Sequence, residues 1–273
     1  MIIRTRHWAL LAVWVLLSSC AVSPTGRTQF IIISPDAAII ESEAAYLDTV
    51  RQLDDEDKLV GDPLTVARVA RITGRLVSIA VADFPESADW KWSVAIVDDT
   101  ETVNAWCMAG GRMAVYTGLF DQLELTDDEF AQIMGHEISH ALANHTAERM
   151  SQAMATAAGM AVIGAASDNS SVAMAGASVL ANVALTLPNS RDAENEADVM
   201  GMVLATKAGY DPEAAVTLWQ KMGDLNDERP AEFLSTHPAP ENRQAALNVM
   251  IPHMLKINSD RTKAPIHPVT IVQ

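Results

Sequence analysis

The sequence predicts an α+β protein that is mostly helical, with one small sheet near the middle of the chain. Two changes of pattern support this prediction. Before residue 82 and after residue 126, apolar residues recur every three or four positions, which is the spacing of amphipathic helices. Between residues 92 and 117 the apolar pattern alternates instead, and Gly110-Gly111 interrupts it, as in short strands joined by a turn.

Two helices are predicted before the sheet. One extends from Asp36 to about Asp57, and the other from about Pro63 to Val81. Asp62 is a suitable N-cap for the second helix because its carboxylate can accept hydrogen bonds from the first backbone N–H groups. Pro63 suits the first helical position, where no N–H is needed.

The sheet is predicted from three candidate strands, at residues 92–97, 103–108 and 112–117. Thr126 then begins a central helix. Thr126 and Glu129 have the spacing of a capping box, in which each side chain binds the backbone N–H of the other residue. This helix is predicted to continue through Leu142.

The segment 151–187 is biased toward Ala, Met, Gly, Ser and Val, and Asp168 is its only charged residue. Its alanine-rich halves are weakly hydrophobic and a polar run separates them, so we predict two packed or mobile helices rather than a membrane span. Weakly packed segments are typical of lids, and we expect this one to cover a site at rest. Further helices are predicted at about 190–208, 211–222 and from about Pro240.

The composition excludes one class of partner. The formal net charge is −16, whereas nucleic-acid binding needs a basic surface to neutralise phosphates. We therefore predict no nucleic-acid partner.

The N-terminus predicts export and anchoring. Arg4 and Arg6 precede an apolar run of ten residues from Trp8 to Leu17, which matches the core of a secretory signal peptide. The run ends in Leu-Ser-Ser-Cys, which resembles a bacterial lipobox with Cys20 as the lipidated residue. The absence of Asp after Cys20 resembles the sorting signal of outer-membrane lipoproteins that face the periplasm. The alternative is an ordinary signal peptide cut near Ala21, with Cys20 lost.

These features predict four regions. They are a lipoprotein signal peptide at residues 1–19, a lipidated tether at 20–35, a globular domain at 36–255 and a C-terminal tail at 256–273. The lipid chains would be the membrane contact, since each buried methylene contributes about 0.8 kcal/mol.

The central helix carries the motif H-E-x-x-H. Four residues advance about 400° along a helix, so His136 and His140 lie on one face and can bind a single Zn²⁺ ion. Glu137 lies about 100° round the helix, where its carboxylate reaches a water at the open coordination position rather than the metal. These residues predict one zinc per chain and a catalytic base.

A catalytic zinc needs a third protein ligand. If the central helix continues, His145 lies half a turn away from the ligand face, so we predict a capping or surface histidine there. Glu194 and Asp198 share one face of the helix after Ser190, and Glu196 points elsewhere. Glu194 is the candidate third ligand, and Asp198 could accept the ring N–H of a motif histidine. A solvated glutamate is the alternative for Glu194 taken alone.

Four stretches resemble the HtpX/LoiP/BepA family of gluzincin zinc metallopeptidases, peptidase family M48, in its lipoprotein branch without helical repeats. They are V-N-A-W-C-M-A-G-G-R-M-A-V-Y-T-G-L at 103–119, G-H-E-I-S-H at 135–140, S-R-D-A-E-N-E-A-D at 190–198 and T-H-P-A-P-E-N-R at 236–243. The resemblance implies a zincin-like fold with an edge strand beside the zinc cleft. It also implies Glu194 as third ligand and Asp198 as proton donor, which differs from the geometric interpretation of Asp198.

The resemblance implies roles at further positions. Asn104 and Ala105 would lie on the edge strand and hold an extended substrate by β-pairing. His237 would lie near the active site, either steadying the oxyanion or binding zinc in a closed state, and the alternative is a plain loop histidine. Arg243 would support that loop. Cys107 is predicted to be a buried small residue.

The sequence therefore predicts a zinc metalloendopeptidase of the bacterial cell envelope that cleaves unfolded or misassembled envelope proteins. Its expected partners are extended polypeptides, the membrane and, by family analogy, the outer-membrane assembly machinery. Two alternatives stay open. One is a zinc-bound lipoprotein that mainly assists outer-membrane protein assembly, and the other is a closed structural metal site with four protein ligands.

Overall fold

The structure, a computed structural model, describes residues 20–166, 188–225, 232–238 and 242–272. The predicted signal peptide at 1–19 lies outside these ranges. So does the later part of the predicted lid, at residues 167–187.

Helices form most of the described chain, which confirms the mostly helical α+β class. The helices are α1 (Pro35–Asp55), α2 (Pro63–Asp83), α3 (Gly118–Leu123), α4 (Asp127–Leu142), α5 (His145–Ala166), α6 (Arg191–Lys207), α7 (Ala214–Asp224), α8 (Glu232–Thr236) and α9 (Arg243–Ile257). None of the helices in the described ranges is both long and apolar enough to cross a membrane.

The strands form a two-stranded hairpin and a four-stranded sheet. They are β1 (Cys20–Val22), β2 (Thr28–Phe30), β3 (Ser93–Val97), β4 (Ala105–Met108), β5 (Arg112–Tyr116) and β6 (Thr270–Val272). The sheet has the order β4-β5-β3-β6, with β4 antiparallel to β5 and the other neighbours parallel. The three strands predicted from the sequence are confirmed, and β4 lies at an edge of the sheet.

A glycine pair joins β4 to β5. Gly110 and Gly111 have φ angles of 81° and 77°, a left-handed conformation that side chains other than glycine rarely adopt. A Cβ on Gly111 would also lie 2.4 Å from the ring of Trp92. This turn therefore requires glycine, and it lets β4 pair antiparallel with β5 as the edge strand of the sheet.

The predicted caps of α2 and α4 are confirmed, and Asp62 accepts from the Thr65 N–H at 2.8 Å. Thr126 accepts from the Glu129 N–H, and the Glu129 carboxylate accepts from the Thr126 N–H. Ser190 caps α6 by accepting from the Ala193 N–H, at 3.2 Å. These caps determine where α4 and α6 begin. The start of each helix in turn determines which of its residues face the other helix.

The helices α4 and α6 approach at backbone contact in the centre of the molecule. A Cβ on Gly201 would lie 2.6 Å from the backbone nitrogen of His136, and a Cβ on Gly135 would lie 2.8 Å from the carbonyl oxygen of Gly201. The middle of α6 therefore lies directly against the start of the H-E-x-x-H segment of α4.

Two predicted terminal regions are more ordered than the sequence indicates. The predicted tether at 20–35 contains the β1–β2 hairpin, with Cys20 paired to Phe30. The predicted tail at 256–273 contributes β6, which pairs with β3 beside the core. Each of these strands is only three residues long, so its hydrophobic pattern is too short to be recognised, and pairing with neighbouring strands determines it.

Candidate metal centre

The first two candidate ligands come from adjacent turns of α4. The side chains of His136 and His140 are both buried, and their Nε2 atoms are 3.0 Å apart. The i,i+4 spacing on a straight helix produces this approach, as the sequence predicts.

The third candidate comes from α6. Glu194 lies one turn after the Ser190 cap and is fully buried. Its Oε1 is 3.4 Å from His140 Nε2, and its Oε2 is 3.4 Å from His136 Nε2. The backbone contact between α4 and α6 thus brings this carboxylate to the two histidines.

A fourth side chain enters from the residue after α8. His237 Nδ1 lies 3.2 Å from His136 Nε2 and 3.1 Å from Glu194 Oε1. Its ring stacks on Phe233, with centroids 4.3 Å apart and planes 17° apart. The structure therefore places His237 among the ligands rather than on the surface.

These four residues fit a zinc ion. One ligand atom from each of His136, His140, Glu194 and His237 lies within 4.8 Å of the others, and we call this set the metal-donor cluster. In a tetrahedral site with Zn–N bonds of about 2.0–2.1 Å, neighbouring donors are about 3.3–3.4 Å apart. Five donor–donor distances in the cluster, counted with both oxygens of Glu194, are 3.0–3.4 Å. Imidazole and carboxylate are also the donors that zinc prefers.

The electrostatics favour a cation in the cluster. Burial acts to raise the pKa of Glu194, but His140 and the hydrogen bonds from the histidines outweigh it and hold that pKa far below its usual range. Burial lowers the pKa of His140 well below its ordinary value, which keeps the ring neutral. Burial also lowers the pKa of His136, yet Asp198 and Glu194 raise it to about 10. Two ionised carboxylates that stabilise a positive charge on His136 this strongly would also stabilise a metal cation in its place.

Glu137 lies beside the cluster but does not belong to it. Its Oε2 accepts a hydrogen bond from the Cys107 N–H of β4 at 3.2 Å, and its Oε1 lies 3.4 Å from His237 Nε2. Burial raises the pKa of this carboxyl group, which makes it a stronger base than an exposed glutamate. Cys107 is buried, as predicted, and burial raises the pKa of its thiol, so it stays uncharged.

Asp198 and Arg243 lie behind the donors. Asp198 Oδ1 is 3.0 Å from His136 Nδ1, although the two groups are not well aligned for a hydrogen bond. Arg243 donates to Asp198 Oδ2 at 2.7 Å and to Glu194 Oε2 at 2.8 Å, and it stacks over Trp219. Asp198 thus lies beside the His136 ring, and its role in orienting that ring stays a prediction. Arg243 directly supports the two carboxylates of α6, which differs from the predicted support of the His237 loop.

A cavity connects the cluster to the edge strand. Glu137, His140 and His237 line it together with residues of β4 and with Arg149 of α5. Ala105 is the first residue of β4, and Asn104, which also lines the cavity, comes directly before that strand. Sequence reasoning missed Arg149, which donates to Asn189 at 2.8 Å, because nothing local marks a helix arginine as facing a cavity.

The prediction for His145 is wrong. The helix does not continue, since α4 ends at Leu142 and Asn144 adopts a left-handed φ of 57° before α5 begins. The chain turns back there, and the His145 ring is buried with its Nδ1 at 2.7 Å from His140 Nδ1. Its Nε2 lies 3.1 Å from Glu196 Oε2. Glu196 is outside the metal-donor cluster, as the sequence predicts, but it reaches the site through this histidine.

Comparisons with known proteins agree with this geometry. The family model described as Peptidase family M48 matches residues 63–251. The mitochondrial metalloendopeptidase OMA1 of Arabidopsis thaliana is 36% identical over 162 residues, which are 58% of this chain and 32% of the relative. The Beta-barrel assembly-enhancing protease of Escherichia coli is 31% identical over 224 residues, 77% of this chain and 45% of the relative.

A human relative, mitochondrial metalloendopeptidase OMA1, is 30% identical over 263 residues, which are 92% of this chain and 49% of the relative. The chain thus spans between about a third and a half of the length of these three proteins.

Proposed function

The chain belongs to peptidase family M48 and is a zinc metalloendopeptidase, and we propose that it cleaves unfolded or misassembled proteins in the bacterial cell envelope. The observation that carries the proposal is the convergence of His136, His140 and Glu194 beside the buried Glu137. Glu137 and His140 also line a cavity next to the edge strand.

The proposed ligands are His136, His140 and Glu194, with Zn²⁺ as the single cofactor. Zinc, when bound, supplies a Lewis acid that polarises the scissile carbonyl and makes a water more acidic. Three protein ligands leave room for that water, as a catalytic site requires. Arg243 would keep Glu194 ionised and oriented, since it donates to Glu194 Oε2 at 2.8 Å.

Glu137 is the proposed general base. Its Oε2 is fixed by the Cys107 N–H, which leaves Oε1 facing His237 and the cavity. In this position Oε1 can take the proton of the attacking water and pass it to the leaving amine nitrogen. Asp198 is proposed to orient His136 rather than to donate a proton, because it lies behind the ring and outside the residues that line the cavity.

The edge strand β4 is the proposed substrate holder. An edge strand offers backbone groups to an added strand, and an extended peptide can pair there beside Ala105 and Asn104. Only an unfolded segment can adopt this conformation, which supports unfolded polypeptides as the substrate class.

His237 is proposed to close the site at rest. Its Nδ1 completes the metal-donor cluster, so it would occupy the coordination position that water needs for catalysis. When the loop moves away, the same side chain could steady the oxyanion. The closed arrangement also explains how a catalytic site can show the four ligands of a structural one.

The cellular setting is a proposal from the N-terminal sequence and from one relative. We infer that Cys20 carries lipid and that the domain faces the periplasm from the outer membrane, and the name of the Escherichia coli relative, Beta-barrel assembly-enhancing protease, supports this setting. Other relatives are mitochondrial. The name of the bacterial relative also favours a second candidate function, assistance to the outer-membrane assembly machinery.

The test compares wild type with Glu137→Gln on casein, an unfolded protein. Wild type should contain about one zinc and cleave casein, chelation should stop cleavage, and zinc should restore it. Glu137→Gln should keep the zinc and lose cleavage by at least about 100-fold, in line with a lost general base. Equal cleavage by both proteins would contradict the assignment of Glu137.

The same pair of proteins separates the two candidate functions. In cells that depend on this protein for outer-membrane assembly, Glu137→Gln should not restore assembly if proteolysis is the function. Full rescue by Glu137→Gln would favour the assembly factor.

A further inference from the structure

The β1–β2 hairpin is bound to the two helices that flank the metal-donor cluster. Arg27 donates from Nη1 and Nη2 to the two carboxylate oxygens of Glu148 in α5, at 2.9 Å and 2.6 Å. Its Nε donates to Glu196 Oε2 in α6, at 2.8 Å. Both carboxylates are buried, with 8% and 2% of their side chains exposed. Arg27 therefore pairs with both buried carboxylates at once.

Two neighbours of Arg27 strengthen the attachment. The Thr25 hydroxyl donates to Glu196 Oε1. Gln29 Nε2 donates to Glu148 Oε2 at 3.0 Å and to the carbonyl oxygen of Ala143 at 2.8 Å. Ala143 is the C-cap of α4, so the Gln29 hydrogen bond also holds the turn that leads to His145.

A chain of contacts leads from Arg27 through Glu196 and His145 to the ring of His140. Glu196 Oε2 lies 3.1 Å from His145 Nε2, and His145 Nδ1 lies 2.7 Å from His140 Nδ1. His140 Nε2 is the atom that faces Glu194 and His136. All three residues are buried.

One proton arrangement satisfies this chain. An ionised carboxylate only accepts, so the Nε2 atom of His145 must carry the hydrogen. The neutral His145 ring then presents a lone pair at Nδ1, which accepts from the Nδ1–H of His140. This leaves a lone pair on His140 Nε2, which is the form that binds a metal.

We propose that the N-terminal hairpin is a clamp in which Arg27, through Glu196 and His145, sets the tautomer and position of the zinc ligand His140. The inference rests on the proposed zinc site. It makes Arg27, Glu196 and His145 positioning residues. Arg27 lies outside the stretch that matches the family model, residues 63–251, so this part of the zinc site is supplied by a segment before the peptidase core.

The test measures zinc affinity directly, by chelator competition on the full chain. Arg27→Met keeps the length of the side chain and removes its charge, and it should weaken zinc binding about 10-fold, the lower end of the range for outer partners of metal ligands. Arg27→Lys should be intermediate because it keeps the charge but not the forked geometry. Arg51→Met, which removes an exposed arginine of α1, is the matched control and should bind zinc like wild type.

A double variant distinguishes the clamp from a general loss of stability. His145→Phe should weaken zinc binding by itself, and Arg27→Met combined with His145→Phe should be no weaker than the worse single variant, because the chain is already interrupted. Cobalt substituted for zinc should show shifted visible absorption in both single variants. Unfolding temperatures of the metal-free proteins show whether each variant is folded, and Arg27→Lys replaces Arg27→Met if the latter is not.

The outcomes are separable from those of the proposed function. If wild type binds zinc and cleaves casein but Arg27→Met binds zinc equally well, the clamp is wrong and the peptidase stands. The clamp would also be wrong if the fold losses of zinc affinity in Arg27→Met and His145→Phe multiplied in the double variant. If wild type takes up no zinc, the proposed function and the clamp fail together.

Discussion

At the scale of single residues, the two histidines of the zinc motif are supported by different routes. His136 faces Asp198 directly, and Arg243 holds that carboxylate. His140 faces His145, which stands between it and the carboxylate of Glu196. Each route ends in an arginine, but Arg243 belongs to α9 and Arg27 to the N-terminal hairpin. The site therefore depends on both ends of the described chain.

The third ligand gives the first prediction at this scale. Glu194→Ala should lose most of the bound zinc, because it removes the anionic donor of the metal-donor cluster and leaves three neutral histidines, of which His237 is proposed to leave the site when it opens. Metal content after dialysis against a weak chelator measures this. Asp192→Ala, an exposed carboxylate two residues earlier on the same helix, is the control and should keep its zinc. Glu196→Ala should fall between them, since Glu196 acts only through His145. Equal zinc in Glu194→Ala and Asp192→Ala would refute the ligand assignment.

His237 gives the second prediction. His237→Ala should keep its zinc, because His136, His140 and Glu194 remain, while its turnover of a short peptide should change by at least several-fold as the fourth position opens. His140→Ala should lose both zinc and turnover. Parallel metal analysis and peptide hydrolysis distinguish the two variants. Wild-type values for both quantities in His237→Ala would show that this side chain is neither a gate nor an oxyanion partner.

The sequence alone predicts the site residues that lie close together on the same helix. His136, Glu137 and His140 lie on one helix, and Glu194 and Asp198 share a face of another, so helical spacing is enough to group them. The prediction for His145 is wrong because Asn144, in a left-handed conformation, ends the helical register before His145. Few residues other than glycine adopt this conformation, and the surrounding fold must stabilise it. Arg27 and Arg149 act through contacts that no spacing encodes.

At the scale of elements, the contact between α4 and α6 determines the geometry of the site. Gly135 and Gly201 let the two backbones meet, and the candidate ligands His136 and Glu194 lie one on each of these two helices. A larger separation of the helices would lengthen the distances from His136 and His140 to Glu194.

Gly201→Ala tests this packing. The added Cβ would lie 2.6 Å from the His136 nitrogen, so α6 must move, and we expect a loss of about 1–3 kcal/mol in unfolding free energy. Zinc affinity should fall as well because Glu194 moves with the helix. Chemical denaturation and chelator competition measure the two effects.

Gly223→Ala is the matched control for this packing test. It lies near the end of α7 with no atom within 4 Å of the added Cβ, and it should be neutral or stabilising by up to about 1 kcal/mol. A Gly201→Ala protein that is as stable as Gly223→Ala would contradict the importance of the close approach.

Elements were predicted best where the pattern was long. The helices α1, α2, α4 and α6 have caps and several turns of periodicity, and their predicted bounds agree with the structure to within a few residues. The hairpin strands and β6 have three residues each. Their order comes from long-range pairing and from buried ion pairs, which a local pattern does not contain.

At the scale of the whole molecule, the N-terminal hairpin changes the expected relation between domain and membrane. The sequence predicts a lipidated tether at residues 20–35, whereas Cys20 already pairs with Phe30 in the hairpin, and Arg27 binds the peptidase domain. If Cys20 carries lipid, the peptidase domain has almost no slack and lies at the bilayer surface. Substrates would then be unfolded segments that emerge near the membrane.

The last prediction concerns this anchor. Cys20→Ser should move the protein from the membrane fraction to the soluble fraction, or leave it uncleaved, because lipid chains supply the membrane affinity. Cys107→Ser, which changes the other cysteine, is the control and should stay with the membrane, since Cys107 is buried in the domain. The mass of the purified N-terminal peptide shows directly whether acyl chains are attached. Unchanged membrane fractionation of Cys20→Ser would exclude Cys20 as the anchor, whereas a wild-type protein that is soluble and begins near Ala21 would indicate an ordinary signal peptide. In that second case Arg27 should still be needed for tight zinc binding, because its contacts with Glu148 and Glu196 do not involve the lipid.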